Sequence, residues 1–326
     1  MFAKKACQTG AALAASLLSL ALLAPAPAAA DTFPDHPIRF IVAYGAGGPT
    51  DIWSRLLGKR LSDSFKVPVI VDNKPGAGGV IGTAEVAKAQ PDGYTISFGG
   101  VVFFGPIFHA ETLSYDVRKD FALLGGLYKT GFVLGVPSSL PVNTLPEFIA
   151  YVKSHPGKTN YAAGTNSGEM MMEILKTQTG MDILAVRYKG NADALTALLS
   201  GQVQAGYDQL GPFKPQAASG KLKLLAVTTD ARMESLPNVP TLAESGFPKA
   251  TVVTRSYVFT RSGVPSDVAA KYNAAIRDAV TKPEFIDRAR LEDATLYAPT
   301  IADLKNYNEE DIAFWTEAAR VANYKP

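Results

Sequence analysis

The sequence predicts an α/β protein of two lobes, each a mostly parallel sheet flanked by helices, with a cleft between the lobes. Three observations carry this expectation. First, IRFIVAYGAGGPTD (residues 38–51) and VIVDNKPGAGGVIG (69–82) share one order: a short β-branched apolar run, a turn containing Gly-x-Gly-Gly, then a helical pattern. Second, the order strand, loop, helix returns after residue 133, so a second unit resembles the first in kind. Third, once an N-terminal leader is set aside the chain keeps 296 of its 326 residues, a length that favours two domains.

The leader is residues 1–30. Lys4 and Lys5 precede an apolar stretch from Ala11 to Leu23 and a small-residue run ending at Ala30. That is the grammar of a cleavable secretory signal, and the apolar stretch is shorter than the roughly 20 residues a membrane span needs. Cleavage after Ala30 makes Asp31 the first mature residue. The single cysteine, Cys7, falls in the leader, so the mature chain has no thiol chemistry and no cysteine-based zinc site. Mature acids and bases balance at 30 each. With no basic run or basic helix stripe, nothing points to nucleic acid.

Residues 38–44 form the first expected strand, and Thr50 or Asp51 is placed to cap the helix after Gly45-Ala46-Gly47-Gly48-Pro49. That helix turns an apolar face made by Trp53, Leu57 and Leu61, joined by Ile52, Leu56 and Phe65. A strand over 69–72 leads to the second glycine loop and a short helix over 81–89, stopped by Pro91-Asp92-Gly93. The next strand, 94–98, runs into Gly99-Gly100 and then Val101, Val102, Phe103 and Phe104, which either pack in the core or line a crevice at the strand's carboxyl end. Thr144-Leu145-Pro146-Glu147 reads as a capping box with proline in the first turn. A third loop, Gly164-Thr165-Asn166-Ser167-Gly168, is rich in hydroxyl and amide donors. Met170, Met171, Ile174 and Leu175 after it read as core. Strands over 183–188, 203–208 and 222–228 and a helix over 192–200 complete the second unit. The chain returns through 252–259, and Thr300 caps a long last helix. The expected boundaries are 31–132 plus 256–326 for the first lobe, its C-terminal helices packing back on it, and 133–255 for the second.

A glycine loop between a buried strand and a helix start presents bare N–H groups and the positive end of a helix dipole, which suits an anion. On the loops alone three readings stay open: a nucleotide, a small anion, or a purely structural turn. Gly45-x-Gly47 with Asp72 ending the second strand resembles a dinucleotide fingerprint, but position 50 is Thr and Pro49 lacks an N–H. An exported protein also meets little ATP or NAD. Enzyme chemistry is hard to find: the three histidines, His36, His109 and His155, share no metal spacing, and no Gly-x-Ser-x-Gly elbow exists. No cofactor and no metal are expected. A hydrolase using Ser167 or Asp208 has no histidine candidate nearby.

The chain resembles the Bug-type extracytoplasmic solute receptors of tripartite tricarboxylate transporters. The similarity runs over residues 33–324 and rests on PIRFIVAYGAGGPTDIWSRLL, VIVDNKPGAGGVIGTAEVAKAQPDGYT, LPVNTLPEFIAYVKSHPGK, RYKGNADALTALLSGQVQAGYDQL, SGKLKLLAVTTDAR and LPNVPTLAESGFP. The resemblance implies a two-lobed periplasmic-binding-protein fold that closes on a small carboxylate. It implies a monomer in the periplasm, and two integral-membrane transporter subunits as partners. A sensor feeding a two-component system without transport is the alternative. By position, the implied ligand set is Tyr44, Ala46, Gly47, Gly48, Thr50 and Asp51; Gly76, Ala77, Gly78 and Gly79; Val102 and Phe103; Thr165, Asn166 and Ser167; and Asp208. The loop at Asn166 is one residue short, Glu169 stands where relatives often have His, and Arg255 where they often have an aromatic residue. Arg255 either meets a second ligand carboxylate or makes a salt bridge to Glu169 or faces solvent; Phe103, Phe104 and Arg255 together favour an aromatic or dicarboxylic acid as the ligand.

Overall fold

The computed structural model describes residues 33–100 and 113–324. Of its two compact units, Met1–Asp35 is described only at its last three residues, and His36–Pro326 holds every strand and helix among the described residues. The expected leader, and Val102, Phe103 and Phe104, lie outside the described residues.

In chain order the strands are β1 (Ile38–Val42), β2 (Val69–Asn73), β3 (Thr95–Gly99), β4 (Phe121–Thr130), β5 (Val133–Pro137), β6 (Asn160–Ala163), β7 (Leu184–Arg187), β8 (Ala205–Asp208), β9 (Leu222–Val227), β10 (Thr254–Arg261) and β11 (Thr295–Leu296). The helices are α1 (Pro49–Phe65), α2 (Val80–Ala87), α3 (Leu145–Ser154), α4 (Asn166–Thr179), α5 (Asn191–Leu199), α6 (Leu210–Ala218), α7 (Ser266–Ala279), α8 (Pro283–Glu292) and α9 (Ile301–Val321).

The strands form two sheets, β11-β4-β10-β3-β1-β2 and β7-β6-β8-β5-β9. β1 is buried on both faces through Ile38, Phe40, Ile41 and Val42 and pairs in parallel with β2 and β3. In the second sheet β6 pairs in parallel with β7 and β8. These are the strands whose carboxyl ends run into the loops singled out in the sequence.

The sheets are mixed rather than mostly parallel. β10 runs antiparallel to β3 and β4, and β5 antiparallel to β8 and β9. The reason is the path between the sheets: β4 leaves the first sheet at Thr130 and β5 begins the second at Val133, so only Gly131 and Phe132 make the crossing. The return runs from β9 to β10. Thr228 ties the two passages together. Its hydroxyl accepts from the Phe132 N–H (2.8 Å) and donates to the Val252 carbonyl (2.7 Å).

Helix starts follow local chemistry. Thr144 caps α3, accepting from the Glu147 N–H, while the Glu147 carboxylate reaches back to the Asn143 N–H (2.6 Å). Thr300 and Asp303 form a reciprocal capping box on α9. Met170, Met171 and Met172 are buried in the core of the second sheet with Leu134, Phe148 and Tyr161. Leu304, Ile312, Trp315 and Ala318 of α9 belong to that same core, and α9 also contacts β4. The C-terminal tail therefore does not pack on the first lobe alone; its last helix spans both. Among the described residues no helix is long and apolar enough to cross a membrane, and no group of three acids or histidines could hold a metal.

Candidate functional site

The first glycine loop ends one position earlier than the sequence suggests. α1 starts at Pro49 with Gly48 as its cap residue, so neither Thr50 nor Asp51 is the cap. Asp51 sits instead in the first turn, buried. Its carboxylate accepts from the Gly47 N–H (3.0 Å), Asn73 Nδ2 (2.9 Å) and Arg55 Nε (3.0 Å). Burial opposes the charge, but these three donors hold its carboxyl below the usual aspartate range. Asn73 Nδ2 also donates to the Tyr44 carbonyl (3.0 Å), so the end of β2 and the first loop are fastened to each other. Asp51 thus shapes the loop from behind. Ala46 and Gly47 are exposed, and the N–H groups of Gly45 and Ala46 have no protein acceptor among the described residues.

The second loop runs through Gly76, Ala77, Gly78 and Gly79, all with positive φ. Gly82, on the first turn of α2, packs onto the end of the first loop's strand: a Cβ there would lie 2.8 Å from Ala43 Cα. The two loops are therefore adjacent. Tyr44 reinforces this by donating its hydroxyl to the Gly78 carbonyl (3.3 Å). The N–H groups of Ala77 and Gly78 have no protein acceptor among the described residues.

Across the cleft, Thr165 caps α4 by accepting from the Gly168 N–H (3.2 Å) and contacts the Ser167 hydroxyl at 3.1 Å. Asn166 and Ser167 are helical, so the third loop is shorter than read from the sequence; a good cap overrides three weak helix formers. Asn166 is 4% exposed and packs its amide against Gly78, where a Cβ would fall 1.9 Å from Oδ1. Its Nδ2 is buried with no partner among the described residues. A Cβ on Gly190 would lie 3.1 Å from the Gly45 nitrogen, so backbone meets backbone and the lobes are apposed.

Two cavities lie along this seam. One, of about 50 Å³, is lined by Tyr44, Pro49, Thr50, Gly99, Gly100, Tyr128, Phe132, Thr165, Ser167, Asn191, Gln209, Thr254, Arg255 and Ser256. The other, of about 360 Å³, takes Gly76, Ala77 and Gly78 from the first lobe and Gly164, Thr165, Asn166, Glu169, Arg187, Tyr188 and Lys189 from the second. Asp208 ends β8 beside the first cavity, buried. It accepts from the Gln209 N–H (2.7 Å) and from Asn191 Nδ2. Burial pushes its carboxyl up to about 7, against those two hydrogen bonds and with help from the Glu292 charge.

The family model described as the tripartite tricarboxylate transporter family receptor matches residues 54–321. The chain belongs to this receptor family. It is 30% identical to BugT of Bordetella pertussis over 304 residues, covering 92% of this chain and 93% of BugT. It is 34% identical to a UPF0065 protein of Cupriavidus necator over 284 residues, 85% of this chain and 84% of that one. Among solved structures, the periplasmic binding protein BugD superposes with a TM-score of 0.85 at 29% identity, covering 89% of this chain and 99% of BugD. MatC of Rhodopseudomonas palustris, solved with bound malate, gives 0.83 at 29% identity, covering 88% of this chain and 100% of MatC. The α/β, two-lobed periplasmic-binding-protein fold is thereby established, and the family is one of solute-binding receptors rather than enzymes.

In this receptor Arg255 and Glu169, the two departures marked in the sequence, both line cavities and are each engaged by protein partners. Arg255 does not pair with Glu169. Its Nη1 donates to Asp311 Oδ1 (2.7 Å) and its Nη2 to Glu310 Oε2 (2.9 Å), with the guanidinium 4.7 Å from the Tyr307 ring centre. Glu169 is buried and receives both Nε (3.0 Å) and Nη2 (2.7 Å) of Arg187. The sequence does not single out Asn191, Gln209, Tyr128 or Arg187 as site residues. Asn191 and Gln209 each follow a strand end by a few positions, which is the signal that points to them; Tyr128 lies within a strand and carries none.

Proposed function

We propose that this receptor captures a small organic carboxylate in the periplasm by closing its lobes and delivers it to two integral-membrane subunits of a tripartite tricarboxylate-type transporter. The observation that carries the reading is the pair of adjacent glycine loops in which the N–H groups of Gly45, Ala46, Ala77 and Gly78 lack protein acceptors among the described residues, with the donor-rich start of α4 across the cleft. Unpaired amides at helix starts bind carboxylates well and sugars or cations poorly. Dicarboxylic acids are the favoured class, in keeping with relatives solved with malate and with adipate. Aromatic acids are the other class the sequence favours, and the residues that suggest it, Phe103 and Phe104, lie outside the described residues.

The receptor acts as a monomer after removal of residues 1–30. Contacts made from both lobes favour the apposed arrangement, because a ligand shifts an equilibrium only through its differential affinity for the two states. The test is a thermal-shift screen of residues 31–326 against organic acids, amino acids, sugars and amines. At a hundredfold excess over Kd a ligand stabilises by about 2.7 kcal/mol, so several degrees are expected with one or more small dicarboxylates. Stabilisation by a sugar or an amine, and by no organic acid, refutes the reading.

A further inference from the structure

We propose that Arg187, held in place by the buried Glu169, is the residue that selects ligands with a second anionic group, and that the 360 Å³ cavity beside the second glycine loop is where that group sits. The inference rests on the carboxylate reading above and adds the chemical class and the residue that reads it.

The cavity is built on both sides of the cleft. Ala77 and Gly78 bring N–H groups from the first lobe; Asn166, Arg187 and Lys189 bring donors from the second. Asn166 Nδ2 is buried without a partner among the described residues, a state that a ligand acceptor would relieve. Lys189 makes no ion pair among the described residues.

Arg187 ends β7, and its side chain is 68% exposed, whereas that of Glu169 is 5% exposed. Glu169 takes Nε and Nη2 in a bidentate pair, and the Tyr324 hydroxyl contacts both partners (3.0 Å to Arg187 Nη2, 3.2 Å to Glu169 Oε1). The planar fork is therefore fixed in orientation while Nη1 keeps its donors free among the described residues. A pre-oriented guanidinium loses little entropy on binding a carboxylate. The two cations and one acid of this cavity leave a net positive lining. In the smaller cavity the lining cation is Arg255, whose Nη1 and Nη2 are each taken by an acid, Asp311 and Glu310. A monoanionic ligand held by the glycine loops leaves Arg187 in solvent at no cost. A dianionic one gains a charge-assisted contact there.

The experiment compares acids matched in length, adipate against hexanoate and succinate against butyrate, by titration calorimetry on residues 31–326. Removing Arg187 alone strands the buried Glu169 carboxylate, so the informative variant is the neutral pair Glu169→Gln/Arg187→Gln, accompanied by the charge-conserving Arg187→Lys. Arg290→Gln, on the exposed face of α8, is the control.

The wild type is expected to prefer the diacid of a pair at least tenfold. The neutral pair should bring that ratio close to one, Arg187→Lys should leave it in between, and Arg290→Gln should leave it at the wild-type value. Retained discrimination in a neutral pair that keeps a cooperative melt overturns the role of Arg187 while leaving carboxylate capture standing. Binding of no acid by the wild type overturns both.

Discussion

Asp208→Asn should stabilise this receptor, and by more at high pH than at low pH. The Asp208 carboxyl sits at about 7 in the fold against 3.8 for the free side chain, because burial penalises its charge and Glu292 adds to the penalty. Below about pH 4 folded and unfolded chains both hold the proton. Between about 4 and 7 the unfolded chain releases it and the folded chain does not, so stability falls as pH rises through this window. Above 7 the deficit is complete, on the order of 4 kcal/mol at about 1.4 kcal/mol per pH unit; at pH 4.5 it is about 1 kcal/mol on the same basis. Asparagine removes the ionisation yet keeps an acceptor for the Gln209 N–H and Asn191 Nδ2. The advantage of the variant should grow by about 3 kcal/mol from pH 4.5 to pH 8. At roughly 2 °C per kcal/mol for a chain of this size, that is about 6 °C in the difference of melting temperatures. Paired thermal melts in the two buffers measure it. An equal shift at both pH values, or one that shrinks as pH rises, refutes the assignment of a buried, largely protonated Asp208.

Two further substitutions probe the seam and the hinge side. Gly78→Ala places a Cβ 1.9 Å from Asn166 Oδ1 at a φ of +60°, so the lobes cannot keep their apposition without displacing a buried amide. Affinity for the best carboxylate should fall at least tenfold and the radius of gyration should rise in solution scattering, with a loss of only about 1 kcal/mol in the ligand-free melt; unchanged affinity and scattering contradict this. Arg255→Gln removes the partner of Asp311, whose carboxyl burial pushes up to about 6 against the Tyr257 hydroxyl and Arg255. Both partners keep some solvent, so the cost should be about 2 kcal/mol rather than that of a fully buried pair. The diacid-to-monoacid ratio should not change, and a loss of that ratio would return Arg255 to the ligand.

Much of the fold is legible in the chain because its signals are local. A β-branched run such as Ile38 to Val42 followed by glycines marks a strand and a loop without any knowledge of neighbours. Strand direction is not local. Nothing in the pattern of Phe121 to Thr130 tells that it runs antiparallel to Thr254 to Arg261, 124 residues on from Thr130 to Thr254. The same limit governs the site. The glycine loops announce themselves, but the partners of Arg255 lie 55 and 56 residues away on a helix whose placement only the tertiary fold decides. Glu169 and Arg187 are separated by a helix and a turn, and their pairing follows from β6 and β7 lying side by side. Asp51 differs for another reason: a polar residue at a helix start reads as the cap, whereas Gly48 is the cap residue and the Asp51 carboxylate takes three donors from Gly47, Asn73 and Arg55.

The path of α9 decides how the two sheets are tied together. Trp315, Ile312 and Leu304 share a core with the methionines of α4, and the Ala322 carbonyl accepts from the Thr177 hydroxyl (2.9 Å). α9 is therefore anchored on both sides, through that core to the second sheet and through the bonds of Asp311 to Arg255 and Tyr257 of β10 to the first. A fragment cut to residues 133–253 would leave an unsheathed apolar groove where α9 belongs. A fluorophore pair that reads the distance across the seam is best kept off α9, which packs on both lobes. For that purpose α1 and α5 are the useful places, since the seam runs between Gly48 and Asn191.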